Sequence, residues 1–314
     1  MLRIALPFLL ALYIDLQADA QTDRAGQYFS SPLSLNPALT GQLEGSFRLA
    51  AQVPSLMESF HTSAISIDAP VVKRTAETDE WGIGFRAMSG RAANNSMMSD
   101  NFSFSTSYMK GLDTKGWKQL GIGIQAGYQK NSMSKTPYQQ QGVDPYMGIP
   151  IPLELMKVED PADLDYPSFF DLGAGALYTG SNNGLNNYYL GLSTFHLNTP
   201  TITVKGKKVF SLAAEVVLHG GFSYPAFQGK RIFYFSSFLS QQANITTISM
   251  GGVLGGFASD NGRQLQFGGW AKYNTYYSAL IPYVNVEHKS LQIALSYNIV
   301  VTRRADTAPV KKGA

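Results

Sequence analysis

The sequence contains no cysteine, so disulfides and thiolate metal sites are excluded. Charge is sparse. Only 15% of residues are Asp, Glu, Lys or Arg, against about 25% in ordinary soluble chains. The formal net charge of +3 is too mild and too dispersed to argue for nucleic acid as a partner. Beyond residue 20, long apolar runs are missing: nothing approaches the ~18 uninterrupted apolar residues that a spanning helix needs. Sustained helical periodicity is missing as well. The four histidines are His61, His196, His219 and His288. None forms an HExxH pair or stands beside a carboxylate at ligand spacing, so no metal site and no cofactor are expected. Gly121-x-Gly123 and the run from Gly251 to Gly256 are not followed by a helical pattern, which rules out phosphate cradles. Small lumen residues, or room for a plug, explain these glycines better.

What the sequence does have is aromatic residues and glycine: 17 Tyr, 18 Phe and 30 Gly. Residues 1–20 read as a secretory signal, with Arg3 as its basic start, an apolar run over Ile4–Ile14, and Ala18-Asp19-Ala20 as the cleavage site. Residues 21–42 read as an extended N-terminal arm, 43–301 as a β-barrel and 302–314 as a flexible polar tail. The barrel reading rests on period-2 alternation, which puts alternate residues on opposite faces of a strand. Leu120, Ile122, Ile124, Ala126 and Tyr128 share one face, while the other holds only Gly121, Gly123, Gln125, Gly127 and Gln129. Similar runs begin at Leu43, Trp81, Phe102, Phe170, Phe210, Leu265 and Leu291, with weaker ones between them. Thirteen runs can be counted. A bacterial barrel should hold an even number, so one strand is hidden, for which 201–209 is the candidate, or a last strand is lacking.

Long strands with an uncharged polar face, tyrosines near their ends and no spanning helix define an all-β, antiparallel transmembrane β-barrel of the outer membrane with about 14 strands. A soluble sandwich would show the same alternation with its apolar face inward. The connection 131–168 is long and proline-rich, whereas 111–118 is short. Barrel loops are long outside and short inside, which sets the long connection outside the cell and the N-terminus in the periplasm. Five charges fall on inward faces by alternation: Arg48, Asp68, Arg86, Asp171 and Glu215. Buried charges need partners. An internal ion-pair network, with Asp68 between Arg48 and Arg86, is the expectation; a solute-selective lining is the alternative. His219 shares its face with Ser211 and Ser223, which would suit a barrel lipase. A hydrogen-bonded lumen histidine is the simpler account, and no enzymatic activity is expected.

The N-terminal stretch Gln27–Gly41 reads Gln-Tyr-Phe-Ser-Ser-Pro-Leu-Ser-Leu-Asn-Pro-Ala-Leu-Thr-Gly. Pro32 and Pro37 remove two backbone donors and argue against a regular helix. Asn36, before a proline, is biased toward an extended conformation, and Gly41 can take φ > 0. Tyr28, Phe29, Leu33 and Leu35 are apolar anchors that can order the segment at the periplasmic rim.

The Phe-Ser…Pro-Leu-x-Leu-Asn-Pro-Ala-Leu-Thr-Gly block resembles the N-terminal signature of the PorP/SprF family of type IX secretion system outer-membrane proteins. The strands Phe170–Tyr178 and Tyr189–Leu197 are similar to the family's paired mid-chain strands. The resemblance implies a non-enzymatic component that supports export or surface attachment of specific secreted proteins of the adhesin or gliding type. It implies other type IX secretion components, and the C-terminal domain of an adhesin-like substrate, as partners beside outer-membrane lipid. Tyr28, Phe29, Asn36 and Pro37 are then the candidate partner-binding residues. A passive solute channel or fatty-acid-type transporter remains the alternative.

Overall fold

The structure, a computed structural model, describes residues 32–43, 45–52, 60–73, 79–92, 97–133, 168–182, 186–204, 207–228, 231–258, 263–288 and 291–303. Residues 1–20, read above as a secretory signal, Tyr28, Phe29, most of the long connection and residues 304–314 lie outside these. A short helical turn, α1 (Pro32–Leu35), precedes a 3-10 turn at Pro37–Leu39. The strands are β1 (Arg48–Gln52), β2 (Phe60–Lys73), β3 (Glu80–Ala92), β4 (Met97–Gly111), β5 (Lys118–Met133), β6 (Phe169–Asn182), β7 (Asn186–Phe195), β8 (Thr201–Val204), β9 (Lys207–Ser211), β10 (Glu215–Ala226), β11 (Arg231–Gln242), β12 (Ile245–Ala258), β13 (Arg263–Asn274), β14 (Tyr277–His288), β15 (Leu291–Ser296) and β16 (Ile299–Arg303).

Fourteen of these strands form one antiparallel sheet, in chain order except that β7 pairs directly with β10. Strands β8 and β9 form a hairpin of their own. The hidden strand expected at 201–209 is therefore real as a strand pair but stands outside the main sheet. The expected run from Phe210 to Ser223 is broken for the same reason. Ser211 ends the hairpin, residues 212–214 leave strand geometry, and β10 starts at Glu215. At the far end, β15 and β16 both pair with β14, through Tyr283–His288 and Tyr277–Leu280 respectively. They lie end to end with an irregularity at Tyr297-Asn298, beside Pro282, which has no N–H to give.

The distribution of side chains is inverted relative to a soluble sandwich. Ile122 and Ile124 are 64% and 63% exposed, whereas Gln125, Gln129, Ser103, Ser105 and Ser107 are buried. The same inversion runs through β2–β6, where Ile65, Ile67, Phe85, Phe102, Phe104 and Leu172 point outward. A single sheet can bury small polar residues on one face only by curling around that face, and an outer face so apolar suits hydrocarbon. Strands of 13–16 residues in β3–β6 exceed the 9–11 needed to cross a bilayer at a tilt of about 45°. Within the described residues β1 does not pair with β15 or β16, so the curled sheet has a seam.

Antiparallel alternation places the connections 53–59, 93–96, 134–168 and 196–214 at one end of the sheet. The connections 74–79, 112–117 and 183–185 lie at the other. At that second end Asp79 draws strands together: it accepts from Tyr108 Oη (2.6 Å), Lys110 Nζ (3.0 Å) and Gly111 N (3.0 Å). The Tyr108 hydroxyl, the Gly111 amide and Lys110 together hold its carboxyl down at about 2, against an ordinary 3.8. A carboxyl lowered on folding stabilises above its unfolded value and loses that effect as pH falls through the folded one. The clasp is therefore expected intact at pH 5 and lost toward pH 2. Carboxyl chemical shifts of Asp79 that move at the ordinary carboxylate range would contradict this.

Candidate functional site: a lumen plug

The N-terminal motif sits inside the curl of the sheet. The sequence predicts an extended arm at the rim; Asn36 (φ −157°, ψ 123°) and Thr40 (φ −62°, ψ 127°) are extended, at the two ends of a 3-10 turn. On either side of Asn36 the chain turns helically. The prolines account for this: proline at the first position of a helical turn costs no hydrogen bond and pre-sets φ. Pro32 opens α1, whose turn closes through Asn36 N–H to Pro32 C=O (3.1 Å), and Pro37 opens the 3-10 turn. The Asn36 side chain caps that turn, Oδ1 accepting from Ala38 N at 2.8 Å.

With Oδ1 so engaged, Asn36 Nδ2 faces the sheet. It donates to Ala176 C=O on β6 (3.0 Å) and lies 3.4 Å from Leu192 C=O on β7. It is also 3.0 Å from His219 Nε2 on β10. Donation to Nε2 places the histidine's hydrogen on Nδ1. His219 is thus a hydrogen-bonded lumen histidine whose partner is the plug. Further along, Ser193 Oγ donates to Leu35 C=O (2.6 Å), and Thr40 Oγ1 donates to Ser105 Oγ (2.9 Å). Ser107 Oγ donates to Thr40 C=O (2.6 Å).

Apolar contacts reinforce these bonds. Leu35 packs with Phe195, Val217 and Phe238, and Ala38 with Met109 and Leu177. Burying a leucine is worth ~1.5–3 kcal/mol, so Leu33 and Leu35 supply a sizeable share of the seating energy. The plug touches nine strands, β1 through β7 with β10 and β11.

Glycines on the inward faces make the room. A Cβ at Gly123 would collide with the backbone of Pro37 and Ala38; one at Gly175, with Asn36 Oδ1; one at Gly191, with His219 Nε2; one at Gly82, with Thr40 C=O. The polar–glycine face of β5 read from the sequence is therefore the floor of a cradle. At the plug's exit Gly41 takes φ +70° with its Cα against Gly82, a conformation and a closeness that suit only glycine.

The five lumen charges fall into distinct surroundings. Arg48 and Asp68 meet on β1 and β2 as a bidentate pair, Nε to Oδ1 at 2.9 Å and Nη2 to Oδ2 at 2.7 Å. Asp68 Oδ2 also accepts from Gly41 N (2.8 Å), and Arg48 reaches Leu39 C=O (3.3 Å). This pair fastens the plug's end to the first hairpin. Arg86 donates to Ser103 Oγ (3.4 Å) and Asn101 Oδ1 (3.3 Å), joining a buried polar row with Gln129 across β3–β5. Asp171 pairs with His196 Nδ1 at 2.8 Å, a contact that sequence spacing did not suggest because the two residues are brought together by the β6–β7 pairing. Glu215 accepts from Ser240 Oγ at 2.6 Å. Missed entirely were Thr40, Ser105, Ser107, Ser193 and the Gly175/Gly191 cradle; their only sequence signal is the small-residue period on inward faces.

Asp68→Ala removes a carboxylate that serves Arg48 and the Gly41 amide at once. Breaking a buried pair costs ~3–5 kcal/mol, so heat-modifiability gels should show a lower melting point for this variant and none for Lys312→Ala. Equal melting of the two would remove the clamp from the account.

A curled antiparallel sheet, apolar outside and polar within, holding its own N-terminal segment as a plug, defines a membrane protein of the barrel type. Within that class the chain belongs to the family of type IX secretion system membrane proteins PorP/SprF, whose family model matches residues 17–309. None of the curated proteins matches the sequence.

Proposed function

We propose that the protein is an outer-membrane, non-enzymatic component of the type IX secretion system that serves as a plugged docking scaffold. In this role it supports export or surface attachment of specific secreted proteins of the adhesin or gliding type. The observation that carries this reading is the seating of Asn36-Pro37-Ala38 in the sheet's interior. A lumen filled by its own chain suits a scaffold better than the passive solute channel or fatty-acid transporter considered from sequence.

Asn36 and Pro37 are fully buried, so a partner reaches them only when the plug leaves its cradle; Tyr28 and Phe29 are the motif's partner-facing candidates. Co-purification from the native envelope should recover other type IX components and an adhesin-like substrate through its C-terminal domain. Deleting the gene should abolish surface display of that substrate while general outer-membrane composition holds. Normal display in the deletion strain would overturn the proposal.

The orientation follows from loop length. The connections 134–168 and 196–214 share one end of the sheet and β1 starts at the other; long barrel loops face outward, which supports a periplasmic start of β1. Because the native chain has no cysteine, Asp144→Cys should react with an impermeant maleimide on intact cells and Asp113→Cys should not. The opposite pattern would invert the topology.

A further inference from the structure

Every neighbouring pair in the main sheet is antiparallel, and with β15 and β16 sharing one track the sheet is thirteen positions wide. Direction alternates from strand to strand, so the first position and the last run the same way. Closing β1 directly on β15–β16 would create one parallel pair, whereas bacterial barrels of this type are even-numbered and antiparallel throughout. Both edges show the lack of a neighbour in their side chains. On β15 Leu291, Ile293 and Leu295 are exposed on one face, and Gln292 and Ala294 are exposed on the other. On β5, by contrast, exposed and buried residues alternate strictly from Leu120 to Asn131. On β1 Leu49 is exposed and even inward-facing Arg48 is only partly covered. Open sheet edges are not tolerated in hydrocarbon, because backbone N–H and C=O groups find no water there. Such an edge is a template for a further strand.

We propose that the seam between β1 and β15–β16 seats one strand of a partner protein, antiparallel to both edges, which completes a fourteen-position barrel. This rests on the secretion-scaffold reading for its membrane setting and names the kind of partner that scaffold takes. The chemistry is set by the neighbours: about ten residues crossing the bilayer, alternate positions apolar toward lipid and small or polar toward the lumen.

Residues 304–314, which directly follow β16, do not meet that description. They carry Arg304, Asp306, Pro309, Lys311 and Lys312. Charges on a lipid-facing strand are penalised and proline interrupts pairing. A second copy does not meet it either. Two copies joined edge to edge at β15 leave both β1 edges open.

The test places a photo-crosslinking amino acid at Leu49, Leu291, Ile293 or Leu295 of the full chain in its native envelope, with outward-facing Ile122 on β5 as the control. Adducts are mapped by mass spectrometry. The expected result is that the β1 and β15 probes label one and the same short segment of a different protein. Moving the probe from Leu291 to Leu295 should then move the adduct toward that segment's N-terminus, as antiparallel pairing requires. The control should give no protein adduct.

Three outcomes overturn the proposal: adducts to this same chain, edge adducts no stronger than the control, or a high-yield disulfide between Leu49→Cys and Ile293→Cys. The disulfide is decisive because an intervening strand holds the edges about 9–10 Å apart, beyond the ~7 Å limit between bridged Cα atoms. A segment mapped in a protein that plays no part in secretion would leave the seam standing and remove the scaffold reading instead.

Discussion

Gly175→Val should convert a plugged barrel into a conducting one. The hydrogen of Gly175 leaves just enough space for the Asn36 carboxamide, and a Cβ there would lie well inside its oxygen and against Pro37. Neither neighbour can yield. Asn36 is held by three strands, Pro37 by its ring, and the β6 backbone by its ladders to β5 and β7. Valine itself is well suited to a strand, so the sheet should survive while the plug is displaced. In planar bilayers the wild type is expected to give no stable unitary current, and the variant to give frequent open events. Gly175→Ala should fall between them. A folded Gly175→Val barrel that stays silent would show that the motif is not the permeability barrier.

Asn36→Ala should be the most destabilising single change in the motif. It removes the cap on Ala38 N–H and strands His219 Nε2 in a buried site. Each buried group left unsatisfied costs ~1–3 kcal/mol, and each bond lost contributes ~1 kcal/mol, so a loss of about 3–5 kcal/mol is expected. The heat-modifiability midpoint of the purified barrel reads this directly. A double-mutant cycle with His219→Ala isolates the contact, and residues in direct contact normally couple by 0.5–3 kcal/mol. Additive effects would mean that the 3.0 Å approach contributes nothing. The secretion phenotype then separates two roles. Loss of folded barrel marks a structural clasp, whereas normal barrel levels with failed substrate display mark a motif that partners read after it unseats.

The sheet was legible because alternation is a local property. Leu120 to Gln129 names its strand, its two faces and its lipid side within ten letters. The Arg48–Asp68 pairing was legible for the same reason, since both fall on inward faces of adjacent strands and sit directly opposite one another. The plug's location was not legible. Nothing within Pro32–Gly41 says that Asn36 will meet Ala176, Leu192 and His219, because the cradle that receives it is built from distant glycines. The early start expected for β1 at Leu43 failed likewise, because the chain up to Gln42 is held by the plug and the strand begins only at Arg48. The break before Glu215 was hidden by a hairpin whose alternation happens to continue in phase with β10.

Asn36 and His219 are separated by 183 positions in the chain. That separation fixes an order of events during assembly. Contacts so remote must wait until the intervening chain has been ordered, and the cradle is incomplete until β10 and β11 have joined. The motif is the first part of the described chain to be synthesised and the last to find its place. Its contacts therefore belong to the late side of the folding barrier. Substitutions in it should leave the folding rate nearly unchanged and appear almost wholly as faster unfolding. The N-terminal segment in this sense inspects the finished sheet: only a barrel whose strands have reached β11 in the correct register can close over it.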